Sequence, residues 1–320
     1  METIVGKDIK VAAEWIRKGE VVAIPTETVY GLAGNALNDD AVHSIFRVKN
    51  RPLGNPLILH LYDRGQLNNF VKYIPTIAYD LMDQFAPGPL TFLLPKKESV
   101  SDLITSGSPL VAIRFPDHKM TRMLLKELDL PIAAPSANKY TAVSPTLASH
   151  VLQQLGGEIP YILDGGPCKR GIESTVIGFE NDTIVIYRPG TITEEQFIKS
   201  GYKVRHKSSG SGQMHSPGMA AHHYSPRTKL LLVVDPESAV KNFSPEKTGV
   251  ISFSKPVTGI PFHHQFILSE KGNLEEAASR LYAALHLMDE MNLDVIVAQI
   301  VPDSEIGKAI NDRLRRASAQ

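Results

Sequence analysis

Two pairs of polar residues, each two positions apart, stand out in the 320-residue chain: Lys49 with Arg51, and Ser136 with Asn138. In extended backbone, residues i and i+2 project to the same side, so each pair can present two polar groups to one ligand. Two neighbouring cations repel unless an anion lies between them. Lys49 and Arg51 therefore read as a clamp for phosphate or carboxylate, with the guanidinium forking onto two oxygens. Ser136 and Asn138 would add neutral donors without adding charge. Arg114 lies inside an apolar run, Ile113-Arg114-Phe115-Pro116, where a buried guanidinium calls for an anionic partner. Plainer readings stand beside these. A Lys-x-Arg after a helix is also a solvated helix end, and Ser-Ala-Asn after a strand is also a turn or a helix N-cap.

Further polar clusters follow predicted strands, the usual place for ligands in α/β proteins. They are Pro25 to Leu32, with Glu27 and Thr28; Asn55 and His60; Pro87-Gly88-Pro89; Ser144-Pro145-Thr146; Glu173-Ser174-Thr175; and Arg188-Pro189-Gly190. The chain has no G-x-x-x-x-G-K-[ST] loop, no G-x-S-x-G elbow, no H-E-x-x-H and no strand-linked G-x-G-x-x-G, so a nucleotide would be held by an uncommon route. The sole cysteine, Cys168, excludes an intramolecular disulfide and any multi-cysteine metal site. Beside Lys169 and Arg170 it is either an activated or a bystander thiol. His222-His223 and His263-His264 lack acidic or Cys ligands at zinc spacing, which favours surface or packing roles.

The elements that must position these residues can be read from periodicity. Helical spacing marks Asp8–Lys18, Asp39–Val48, Thr76–Phe85, Lys119–Leu128 and Thr146–Leu155. Apolar runs mark strands at Glu20–Ile24, Leu57–Leu61, Leu90–Leu94, Leu110–Phe115, Ile132–Ala134, Tyr161–Leu163, Ser174–Phe179 and Thr183–Tyr187. This alternation predicts an α/β fold with a largely buried sheet. At 207–228 the composition turns to Ser208-Ser209-Gly210-Ser211-Gly212-Gln213, with a turn signal at Ser216-Pro217-Gly218, which reads as a linker. Beyond it, strands at Lys229–Val234, Gly249–Phe253, Gln265–Leu268 and Asp294–Ile300 and helices after Asn273 and Ser304 predict a small β/α unit. The domains are therefore 1–206, the linker 207–228, and 229–320.

Lys and Arg total 34, as do Asp and Glu, and 42% of residues are hydrophobic against 21% charged. A large core is available, and a basic whole-protein polyanion binder is disfavoured. No apolar run approaches the ~18 residues needed to span a bilayer, so no membrane partner is expected and a cytoplasmic protein is the default.

Taken in order, these clusters resemble the YrdC-like family, in its longer two-domain threonylcarbamoyl-AMP synthase form. The likeness runs through the first domain and the linker segment Ser216-Pro217-Gly218-Met219 with His223-Tyr224-Ser225-Pro226. It implies a twisted open mixed sheet with flanking helices, followed by a small Rossmann-like α/β domain. It further implies a nucleotidyltransferase that makes L-threonylcarbamoyladenylate from L-threonine, bicarbonate and ATP, with release of pyrophosphate, for N6-threonylcarbamoylation of adenosine 37 in tRNAs reading ANN codons. By resemblance, Lys49, Arg51, Ser136 and Asn138 are the catalytic signature. L-threonine falls to Thr28, His60, Arg114 and Ser174, and ATP to Arg51, Asn55, Ser136, Ser144, Arg188 and Tyr224, with the linker tyrosine closing over the nucleotide.

Mg2+ is expected on the ATP phosphates with no protein ligand, and no organic cofactor. A downstream tRNA threonylcarbamoyl transferase would receive the product, without a stable nucleic-acid complex. The chain departs from the family at Tyr140-Thr141, where Ser-Gly is usual, at Ala220-Ala221-His222, where Lys, Tyr and Arg are common, and by an Ala33/Gly34 exchange. Two rivals stand beside this reading. One is an RNA-binding module, disfavoured by charge balance; the other is a hydrogenase-maturing carbamoyltransferase, whose chains carry zinc-finger and acylphosphatase segments missing here.

Overall fold

The computed structural model describes residues 2–207 and 223–319. The turn signal at Ser216-Pro217-Gly218-Met219 and the Ala220-Ala221-His222 departure lie outside the described residues. Strands are β1 (Ile4–Gly6), β2 (Val22–Ile24), β3 (Gly31–Asn35), β4 (Ile58–His60), β5 (Leu90–Pro95), β6 (Leu110–Arg114), β7 (Ile132–Ala133), β8 (Tyr161–Leu163), β9 (Thr175–Glu180), β10 (Thr183–Arg188), β11 (Lys203–His206), β12 (Lys229–Val233), β13 (Thr248–Ser252), β14 (Gln265–Ile267) and β15 (Val295–Gln299). Helices are α1 (Ile9–Arg17), α2 (Asp39–Lys49), α3 (Thr76–Phe85), α4 (Asp102–Thr105), α5 (Lys119–Leu128), α6 (Ala148–Leu155), α7 (Glu194–Lys199), α8 (Pro236–Ala239), α9 (Leu274–Glu290) and α10 (Ile306–Ser318).

The first eleven strands form one mixed sheet in the order β1-β8-β2-β3-β7-β4-β6-β5-β9-β10-β11. Its inner members read as near-continuous apolar runs because helices cover them: β2, β4 and β8 are buried at every position. Helices such as α1 lay one apolar stripe, Ala12, Ala13 and Ile16, against the sheet. The second sheet, β12-β15-β13-β14, is parallel throughout. The mixed sheet with flanking helices and the smaller parallel α/β domain agree with the fold class read from the sequence.

The hydrophobic pattern does not mark β1, β3, β11, α4, α7 or α8. Strand β3, Gly-Leu-Ala-Gly-Asn, lies inside a stretch that reads as polar loop; it is held as a strand by antiparallel pairing with β2 and β7 on either side. At α9 the capping box implied by Asn273 and Glu276 is half formed. Asn273 accepts from the Glu276 amide at 2.8 Å, while the Glu276 carboxylate takes the Ser269 hydroxyl instead.

The two domains share a core. Val29, Val143 and Ile172 of the first domain pack in one cluster with Tyr224 and with Leu281, Tyr282, Leu285, Ile310 and Leu314 of the second. Among the described residues no helix is long and apolar enough to cross a membrane.

Candidate active site

Strand and helix ends bring the chemically competent residues together. β4 and β6 run parallel with His60 opposite Arg114, both at their C-terminal ends. Ser136 bridges to Gly31 at the start of β3. Ser174 directly precedes β9, and Arg188 closes β10, past an irregularity in the β9–β10 register that sets it opposite Val176. Lys49 ends α2, where Asn50 takes a left-handed conformation (φ 53°) that stops the helix and turns the chain toward Arg51. The i, i+2 pair therefore does not lie on extended backbone.

A small cavity of about 40 Å³ is lined by Arg51, His60, Arg114, Ser136, Ser174 and Arg188, together with Glu173, His223 and Tyr224. Arg51 donates to the Asn55 and Pro56 carbonyls at 3.2 and 3.0 Å, and burial lowers its guanidinium to about 10 against the opposing effect of Tyr140 and Tyr224. Arg114 Nη2 donates to Glu27 Oε1 at 2.7 Å and to Thr28 Oγ1 at 2.9 Å, so its anionic partner within the chain is Glu27. Its Nε is buried and has no partner among the described residues. Burial, then the neighbouring Arg114, lowers His60 to about 3, and its Nδ1 lies 3.2 Å from the Ile58 carbonyl. Arg188 donates from Nε and Nη2 to the Ser174 carbonyl at 3.1 and 2.9 Å and from Nη2 to the Ser174 hydroxyl at 3.0 Å.

Other residues singled out by sequence support this cavity without lining it. Lys49 is buried, and its Nζ donates to the Ser136 and Asn138 carbonyls at 2.6 and 2.5 Å. Burial, then Arg51 and Lys139, pulls its ammonium well below the usual range. Asn138 donates to the Lys139 and Ala142 carbonyls, and its Oδ1 is without a partner among the described residues. Asn55 donates to the Tyr140 hydroxyl at 3.0 Å, and Ser144 donates to Glu173 at 2.7 Å.

Tyr224 is buried in a left-handed conformation (φ 65°), which costs a non-glycine residue strain. Its ring meets His223 edge-on at 4.1 Å and lies 5.7 Å from Tyr282. His223 is likewise buried, and burial followed by Arg51 drives it well below its usual range; its ring packs against Tyr140 and Tyr224. Burial also raises the Cys168 thiol, which fits a bystander. Among the described residues no three His, Cys, Asp or Glu side chains converge as a metal site.

Residue patterns alone miss Tyr140, Tyr282 and Arg313. Tyr140 stands beside Arg51, with its ring centroid 6.0 Å from the guanidinium carbon, and meets His223 edge-on. Tyr282 and Arg313 come from the second domain to Glu173. For Tyr282 and Arg313 the signal is burial of a polar side chain on α9 and α10, whereas Tyr140 is half-buried in a turn that no local motif marks.

The chain matches the Sua5, YciO and YrdC family model, described as "Telomere recombination", over residues 14–190. It matches the threonylcarbamoyl-AMP synthase C-terminal domain over residues 191–319. The two models meet before β11, which pairs with β10 of the large sheet. A relative from Bacillus subtilis named threonylcarbamoyl-AMP synthase is 40% identical over 318 residues, covering 96% of this chain and 92% of the relative. One of the same name from Schizosaccharomyces pombe is 36% identical, covering 93% and 85%. The crystal structure of Pyrococcus abyssi Sua5 complexed with L-threonine superposes with a TM-score of 0.91 at 38% identity, covering 99% of this chain and 98% of that one.

Proposed function

The chain belongs to the two-domain threonylcarbamoyl-AMP synthase family, and from that premise we propose that it makes L-threonylcarbamoyladenylate from L-threonine, bicarbonate and ATP, releasing pyrophosphate and water. The observation that carries this reading is the convergence of Arg51, Arg114 and Arg188, all buried, on one cavity. The carboxylates beside them, Glu27 and Glu173, are already committed to Arg114 and Arg313. A buried surplus of cations is costly unless anions neutralise it, and both reacting partners are anions.

The threonine amine combines with bicarbonate to give a carbamate and water; a carbamate oxygen then attacks the α-phosphorus of ATP and pyrophosphate leaves. No protein nucleophile is required, so the residues act by positioning and charge neutralisation. Arg114, whose Nε is an unpartnered buried donor, takes the threonine carboxylate, with Thr28, His60 and Ser174 around the rest of the molecule. His60, held neutral, adds no further charge there. Arg51 and Arg188, with Asn55, Ser136 and Ser144, take ATP. Lys49 and Asn138 fix the Ser136–Asn138 turn. Mg2+ would enter on the ATP phosphates as part of that substrate.

A cavity of about 40 Å³ has room for only two or three waters. His223 and Tyr224 must therefore move aside to admit ATP and return over it, excluding water from the labile carbamate. That makes the linker segment the lid. The product goes to a tRNA threonylcarbamoyl transferase for adenosine 37 of ANN-reading tRNAs, and the neutral chain itself forms no stable tRNA complex. The test is pyrophosphate release from ATP with threonine and bicarbonate supplied singly and together. Release should require both, and release without threonine would refute the proposal.

A further inference from the structure

We propose that the second domain positions the nucleotide side of the active site through Arg313 and Tyr282 acting on Glu173; the substrate assignment rests on the function proposed above. Arg313, on α10, is wholly buried. Its Nε donates to Glu173 Oε2 at 3.1 Å and its Nη1 to the Pro189 carbonyl at 2.8 Å. Tyr282, on α9, donates to the same carboxylate, 2.9 Å from Oε2 and 3.2 Å from Oε1. The Ser144 hydroxyl occupies Oε1 at 2.7 Å. Burial alone would raise the Glu173 carboxyl, but Arg313, then Arg188 and the Ser144 hydroxyl, hold it below its usual range.

Glu173 and Pro189 are the chain neighbours of Ser174 and Arg188, which bond to each other. The two segments touch backbone to backbone at Gly190, where a Cβ would lie 2.5 Å from the Thr175 nitrogen and 2.6 Å from the Glu173 carbonyl oxygen. One guanidinium therefore grips both strand-end segments that carry Ser174 and Arg188. The same guanidinium lies 5.5 Å from the centre of the Tyr224 ring, within cation–π reach. Ser144, Arg188 and Tyr224, all on the ATP side, are thus held by one carboxylate and one cation. Buried ion pairs add little net stability over an apolar core. Arg313 also keeps one terminal nitrogen without a partner among the described residues. An arrangement serving stability alone would not retain that cost, so Arg313 and Tyr282 are positioning residues.

The test is steady-state kinetics on Tyr282→Phe, Arg313→Gln and Arg313→Lys, with thermal unfolding alongside. Tyr282→Phe keeps the ring and loses only the hydroxyl; it should raise the ATP KM about fivefold, the scale of one net hydrogen bond, in a protein that still folds. Arg313→Gln should raise it tenfold or more and raise the threonine KM by a smaller factor, through Ser174. Arg313→Lys, which cannot span Glu173 and Pro189 together, should restore folding without restoring the ATP KM. In the ligand-free protein, amide hydrogen exchange of residues 223–225 should quicken in Arg313→Gln. Folded variants with an ATP KM within twofold of wild type would overturn the proposal. So would parallel losses in kcat and both KM values that track only the folded fraction. If Arg313→Gln does not fold, Tyr282→Phe decides. If the wild-type protein releases no pyrophosphate, the functional reading fails, while the exchange measurement still judges the clamp.

Discussion

Lys49 and Arg51 are two residues apart and meet different partners. Arg51 lines the cavity, whereas the Lys49 ammonium is tied to the carbonyls of Ser136 and Asn138. The left-handed Asn50 between them separates the two side chains. Arg51→Ala should cut kcat/KM on the order of 100-fold, the scale of losing one preorganised charge contact, and should also cost stability, because the buried Asn55 and Pro56 carbonyls lose their donor. Lys49→Ala should lose turnover and also about 1–3 kcal/mol of stability, because two buried carbonyls lose their donor. Pyrophosphate-release kinetics and urea midpoints on both variants check this, and a wild-type urea midpoint in Lys49→Ala would remove the tether argument. Thr141, where glycine is usual in the family, takes a left-handed conformation (φ 70°), and its carbonyl accepts from the Ser225 amide just beyond Tyr224. The sequence departure thus falls on a strained residue that bonds to the backbone beside Tyr224.

At the scale of elements, α6 meets α9 through His150 and His286, whose rings stack with centroids 3.9 Å apart. The Thr146 amide donates to His150 Nδ1, and His286 Nε2 lies 3.2 Å from the Ser144 carbonyl. Burial lowers both rings, His150 to about 3 with His286 adding to the shift. An unfolded histidine binds a proton below about pH 6.5, while folded His150 and His60 bind theirs only near pH 3. Their contribution is therefore intact above about pH 6.5 and falls as pH drops toward 3, by about 1.4 kcal/mol per pH unit for each ring. Urea midpoints between pH 7.5 and 5 should show this decline, and His150→Gln should flatten it by roughly one proton. An unchanged slope in that variant would mean His150 titrates normally in the folded protein. The strands and helices around this seam were legible as apolar runs. β3 was not, because its Gly-Leu-Ala-Gly-Asn sequence becomes a strand only between two partners.

For the whole molecule, the domains share apolar side chains and also touch through backbone. Gly171, at φ 74°, lies so close to α9 that a Cβ would sit 2.4 Å from the Ser279 Cα and 2.5 Å from the Ala278 carbonyl oxygen. Gly171→Ala should destabilise the protein by about 2 kcal/mol or more, combining left-handed strain with overpacking against rigid backbone. A calorimetric melting point within 1–2 °C of wild type (~0.5 kcal/mol) would show that the interface gives freely. Charge is balanced over the chain at 34 against 34, yet Arg51, Arg114 and Arg188 are gathered at one cavity. Net charge thus bears on partners of the exterior and says nothing of the pocket.

The sequence by itself determined the α/β class, most element positions and the polar residues at strand ends. These follow from local periodicity and from residue types that are costly to bury without a purpose. Only the tertiary structure decided that Lys49 serves as a tether, that Glu27 is the partner of Arg114, and that Tyr282 and Arg313 reach Glu173 from over a hundred residues away. Hydrogen bonds and ion pairs depend on three-dimensional distance and orientation, and separation along a chain carries no information about either once the chain has folded back on itself.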